Sequence, residues 1–204
     1  MEPNFIALIK DFEKDFGIPE GYFSSFLKDD DWSFIIKIHA LLEAVASQLL
    51  ANATGDIRLQ KVFDRLELSN KDTGKMAFLK ALELLTKKQK AYIILISNIR
   101  NDVVHDIKNM NFNFMNYIAN MDDNQKASFI DRIIYFDATD KQRIVWRDFI
   151  LSKPRESIYL ATFYLIIQVH SKLKNIILER EYAAETIQSV KEMFEKINNE
   201  DTSQ

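Results

Sequence analysis

Residues 31–52 read DWSFIIKIHALLEAVASQLLAN, and this stretch decides the fold class. Its large apolar side chains include Phe34, Ile35, Ile36, Ile38, Leu41, Leu42, Val45, Leu49 and Leu50. They recur at helical spacing and cover most of the circumference. A helix that is apolar on nearly every side belongs in the middle of a bundle. Asp31 is the expected N-cap, because a carboxylate accepts from the orphan N–H groups of a first turn, and Gly55 is the expected stop.

Shorter amphipathic stretches flank this segment. On its N-terminal side Phe5, Ile6, Leu8, Ile9, Phe12 and Phe16 predict a helix ended by Gly17 and Pro19, followed by a short piece from Tyr22 to Leu27. On its C-terminal side the same spacing predicts helices over 56–66, 75–85, 87 to about 109, 125–136 and 142–151. Ser69 to Gly74 is a loop, and Phe112 to Ile118 is a short apolar patch. Ser152 is the expected cap of a helix with Pro154 in its first turn, where the missing N–H does no harm. That helix carries Ile158, Phe163, Ile166, Val169, Leu173 and Ile176, and 181–197 is amphipathic again. With only 4 Gly and 3 Pro there is little turn chemistry for a sheet, so the chain reads as all-α. The expected organisation is a helical bundle over 1–120 and a C-terminal helical extension over 121–204 packed on it, with a disordered tail from about 198.

Composition narrows the chemistry. The absence of cysteine excludes disulfides, thiolate metal sites and a thiol nucleophile. The first residues do not read as a signal peptide, and no run of about 18 uninterrupted apolar residues is present, so a cytoplasmic location without membrane contact is expected. The net charge of −3 argues against indiscriminate nucleic-acid binding. Charge is unevenly spread, however. Residues 56–108 hold eleven Lys/Arg against seven Asp/Glu, a local +4 able to steer a phosphate-bearing ligand.

Within that basic segment lies Arg100-Asn-Asp-Val-Val-His105, at the end of a helix whose Ile96, Ile99, Val103 and Ile107 mark the buried stripe. Arg100 and His105 are about 140° apart around an ideal helix, so they do not stack on one another. Two copies of the helix, related by a two-fold axis, bring them together more readily than one chain does. Asn101 stands four residues before His105 on the same face, where its amide can hold the imidazole in one tautomer. Histidine titrates near neutrality and serves as acid or base, whereas arginine keeps its charge and offers a planar fork of donors to phosphate oxygens. Together they suit attack of an RNA 2′-hydroxyl on the adjacent phosphorus, a reaction that needs no metal and no cofactor. Placed at a helix C-terminus, both side chains also suit the helix dipole and need no catalytic role.

Arg100, a polar residue, three more and then His105, at the end of a helix in an all-α chain, resembles the Arg-x(4 to 6)-His motif of the HEPN superfamily. The segment around His39 to Ala46 is similar to the preceding core helix of those domains, and the resemblance covers roughly 26–120. It implies a metal-independent endoribonuclease acting in toxin–antitoxin or antiviral defence, with two motif copies forming one cleft in a homodimer. Arg100 would then stabilise the scissile phosphate of an RNA substrate, His105 would do acid–base work and Asn101 would orient it. An antitoxin or defence-system protein is the implied partner. Ile107 stands where one subfamily has a tyrosine that an antitoxin modifies, which separates this chain from that mode of control. The arrangement also resembles the mannitol-operon-repressor group of helical proteins, so a non-catalytic HEPN-like regulatory module is the alternative. A third reading, a small-molecule-binding bundle, has only general apolarity behind it.

Other constellations carry less. His39 and Glu43 stand at the i, i+4 interval of helix-borne metal ligands, but two ligands do not close a site, and they read as a hydrogen-bonded pair or as cleft lining near the motif. Thr73-Gly-Lys75 matches the end of a phosphate-binding loop without its first glycine, its hydroxyl residue or its strand, and is rejected. Asp29-Asp30-Asp31 lacks the glycine and glutamate of a calcium loop and reads as a capping corner. His170 is expected to be packed or on the surface, and Trp32 and Trp146 are expected to be core.

Overall fold

The computed structural model describes residues 5–105 and 111–201, with the side chains of Phe5 and of 196–201 outside the description. Every regular element among the described residues is a helix, so the fold is all-α. Among the described residues ten α-helices follow one another: α1 (Phe5–Asp15), α2 (Tyr22–Ser25), α3 (Asp31–Thr54), α4 (Gln60–Phe63), α5 (Lys75–Ala81), α6 (Lys87–Val104), α7 (Phe114–Ala119), α8 (Asp123–Ile133), α9 (Asp140–Ser152) and α10 (Pro154–Asp201). Single 3₁₀ turns at Phe26–Lys28 and Ile57–Leu59 lead into α3 and α4.

Helix α3 is the centre of the bundle. By length and composition alone it could cross a membrane, but most of its apolar window is buried against other helices of this chain. Its N-cap is Asp30, one residue before the expected Asp31, and the Asp30 carboxylate accepts from Ser33 N–H at 2.9 Å. Asp31 is released for longer-range work: one oxygen accepts from Phe114 N–H at 2.9 Å and the other meets Arg155 Nη1 at 3.4 Å. The expected stop holds, with Gly55 at φ +82°, a conformation in which a side chain would be strained.

Helix α10 lies alongside α3 from Arg155 to Arg180. Arg155 near its start donates to the carbonyls of Asp29 and Leu27 ahead of α3, while Arg180 donates to those of Asn52 and Ala53 at the far end. Both numbers rise together, so the two long helices are parallel. Helix α6 runs the other way along α10. Leu84 just before it meets Lys172, Gln89 meets Gln168 and the Tyr92 hydroxyl meets Ile158 and Thr162. On the outer side His170 Nε2 meets Asp15 Oδ2 at 2.8 Å and ties α1 to the same helix. One apolar cluster draws on residues from Phe12 to Val169, so the C-terminal helices supply core and not merely an outer layer.

Three local expectations differ from the fold. Ser152 does not cap α10; its hydroxyl donates back to the carbonyls of Asp148 and Phe149, and Lys153 O accepts the first bond of the new helix. Helix α5 ends at Ala81 and not at Leu85, because Leu84 and Leu85 turn into the core and the Lys172 ammonium takes up the carbonyls of Glu83 and Leu84. Helix α10 continues through 198–201, where a disordered tail was expected. No glycine or proline follows Pro154, and 181–201 is rich in good helix formers.

Candidate functional site

Helix α6 presents the Arg-Asn-…-His segment. It starts with a reciprocal cap in which Thr86 Oγ1 accepts from Gln89 N–H and Gln89 Oε1 accepts from Thr86 N–H. Tyr92, Ile93, Ile96, Ile99 and Val103 are buried against the bundle, which fixes the rotation of the helix about its axis. That rotation leaves Arg100 and Asn101 half-buried at the rim of the buried stripe, and His105 exposed.

The helix ends where the motif ends. The last bond runs from His105 N–H to Asn101 O at 3.1 Å, and His105 is the C-cap. The expected continuation to about Asn109, together with Ile107, falls partly in 106–110, outside the described residues. Asn101 does something other than expected. Its Oδ1 accepts from Arg100 Nη1 at 3.1 Å, so the amide orients the guanidinium. The acceptor is neutral, and the bond therefore directs the cation without cancelling its charge.

A third side chain enters the field of Arg100 from α3. His39 is half-buried, and its pKa lies below the ordinary histidine value. Burial is the main cause. Glu43 acts against it, and Arg100 and then Lys75 act with it. The expected His39–Glu43 hydrogen bond is not formed. Glu43 Oε1 instead accepts from Lys75 Nζ at 3.0 Å, and the same ammonium donates to Leu66 O at 2.6 Å. His39, expected either in a hydrogen-bonded pair with Glu43 or as cleft lining near the motif, thus shares the field of Arg100, and the i, i+4 spacing to Glu43 is the sequence feature that had marked it.

The surrounding surface is shallow. A depression of about 630 Å³ opens between α6, α7 and α8, lined by Asn98, Asp102, Tyr117, Asn120 and Arg132, with neither Arg100 nor His105 in its lining. Among the described residues no group of three His, Asp or Glu side chains is placed to hold a metal ion. Trp32 and Trp146, expected in the core, are both half-buried against it. No protein-family model, no curated protein and no solved structure matches this chain.

Proposed function

We propose that the chain is a metal-independent endoribonuclease of the HEPN kind, cutting RNA by attack of a 2′-hydroxyl on the adjacent phosphorus. The observation that carries this reading is the end of α6, where a partly exposed guanidinium is aimed by a neutral amide one turn before an exposed imidazole. In a homodimer the two α6 ends meet, and two imidazoles become available to one phosphodiester. One His105 takes the 2′-hydroxyl proton as the oxygen attacks, and the other returns a proton to the departing 5′-oxygen. Arg100 offers its donors to the phosphoryl oxygens as their charge grows, and Asn101 keeps that fork pointed. The products are a 2′,3′-cyclic phosphate and a free 5′-hydroxyl. Such an activity suits a cytoplasmic toxin or antiviral effector held in check by a partner protein.

The test is cleavage of a mixed RNA in excess EDTA. Wild-type protein leaves 2′,3′-cyclic phosphate ends, Arg100→Ala and His105→Ala each lower the rate by about 10²-fold or more, and Asn101→Ala lowers it less. Equal cleavage by wild type and the double variant, or no cleavage by either, contradicts the proposal. The second of these outcomes, with the fold intact, favours the non-catalytic regulatory module.

A further inference from the structure

Helix α10 outlasts the helix it packs on. Its inward seam in the body runs Tyr159, Thr162, Ile166, Val169, Leu173 and Ile176, alternating steps of three and four residues. The next position is Arg180, whose guanidinium closes the C-terminal carbonyls of α3. Beyond it the same alternation continues through Ala183, Ile187, Val190 and Phe194, all of them exposed, Ile187 and Phe194 by 57% and 63%. Residues 177–201 thus form a helical arm about 36 Å long, far too apolar on one stripe for a helix meant to face water.

A second apolar surface lies at the same end of the bundle. Ile57 and Val62, 58% and 55% exposed, continue into Phe78 and Leu82 of α5, and the Phe63–Phe78 ring contact at 5.5 Å joins the two elements. The two surfaces differ in charge. The arm carries seven Asp/Glu against three Lys/Arg, a net −4. Residues 56–82, which form that surface, carry five Lys/Arg against four Asp/Glu once buried Lys75 is set aside, a net +1.

We infer that the arm docks on the α4–α5 surface of a second copy of this chain, in a reciprocal exchange closed by a two-fold axis. A continuous helix cannot fold back onto its own α4, so the occupant comes from another molecule. Two arms facing one another bring −4 against −4, whereas arm on patch brings −4 against +1; avoided repulsion selects the exchange over a coiled coil of arms. The contact stands apart from the ribonuclease reading. It uses the arm and the α4–α5 surface, and none of Arg100, Asn101 and His105 belongs to either.

The experiment is molar mass by light scattering on three full-length proteins and one mixture. Wild type assembles to at least twice its 23.9 kDa. An arm variant (Ile187→Glu with Phe194→Glu) and a patch variant (Ile57→Glu with Val62→Glu) each halve that mass while keeping wild-type helicity, since all four side chains are exposed. Mixing the two variants regains mass, because the arm of one and the patch of the other are intact. A monomeric wild type overturns the inference, as does an arm variant of wild-type mass. So does a patch variant of wild-type mass, which means that arms pair with arms, and so does a mixture that stays at the variants' mass. A monomeric wild type would also remove the homodimer that the ribonuclease reading needs; every other outcome bears on the arm contact alone, and RNA cleavage by the same proteins reports on the ribonuclease reading by itself.

Discussion

Lys75 has no exposed side-chain surface, and its ammonium is held by Glu43 and by the Leu66 carbonyl. The backbone beside it is as tightly held, with Lys75 N–H on Glu67 O and a Cβ on Gly74 destined to meet that same oxygen at 2.3 Å. Thr73-Gly-Lys75 is therefore a packing device at the start of α5, which explains residues that the rejected phosphate-loop reading left unexplained. Lys75→Ala should cost about 1–3 kcal/mol, because it orphans a carbonyl and half of an ion pair whose other member still reaches water. Chemical denaturation measures this. His39 gives a second prediction. Its folded pKa is depressed, so the unfolded chain takes up the proton first as pH falls below about 6.5. The stability that neutral His39 supports is full at higher pH and is lost as acid pulls the proton on. His39→Gln should flatten the melting temperature between pH 7 and 5.5 relative to wild type. An unchanged slope would show that the imidazole is not held neutral.

At the scale of elements, most helices were legible, because apolar spacing is a property of the chain itself. The ends of α1 and α3 follow from Gly17 and Gly55 with little help from the rest of the molecule, whereas α9 starts two residues before the expected 142, at the unnoticed cap Thr139. Errors arose where a tertiary partner decided. Asp30 and Asp31 are equally good caps by sequence, and only Arg155 and Phe114, more than eighty residues away, give Asp31 its other task. Asp30→Ala should cost about 1 kcal/mol as a lost cap. Arg155→Ala should cost about 1–3 kcal/mol, since it strips donors from the Asp29 and Leu27 carbonyls. Equal, negligible losses from both would mean that the entry to α3 is held by packing alone. The Arg100–Asn101 bond was similarly beyond sequence, which offered Asn101 two neighbours on one helix and no rule for choosing between them.

Over the whole molecule, α10 is the element that joins everything: α1 through His170, α3 through Arg155 and Arg180, and α6 through Tyr92. Its buried seam was visible as periodicity, but its parallel course beside α3 was not, since spacing says which face is buried and never against what. A single cluster spanning both halves of the chain implies one cooperative unfolding transition. Calorimetry should find the calorimetric and van't Hoff enthalpies equal for the body, and two separated transitions would argue for independent halves. The cleavage chemistry adds a requirement that no single chain meets, because one phosphodiester needs the His105 of both copies. Equal amounts of wild-type and His105→Ala protein, mixed and left to exchange subunits, test this most directly. Random pairing makes half the dimers mixed, and a mixed dimer has one imidazole in its cleft instead of two. RNA cleavage then falls to about a quarter of that given by the same total amount of wild type. A mixture that keeps half of the wild-type rate would contradict the shared site.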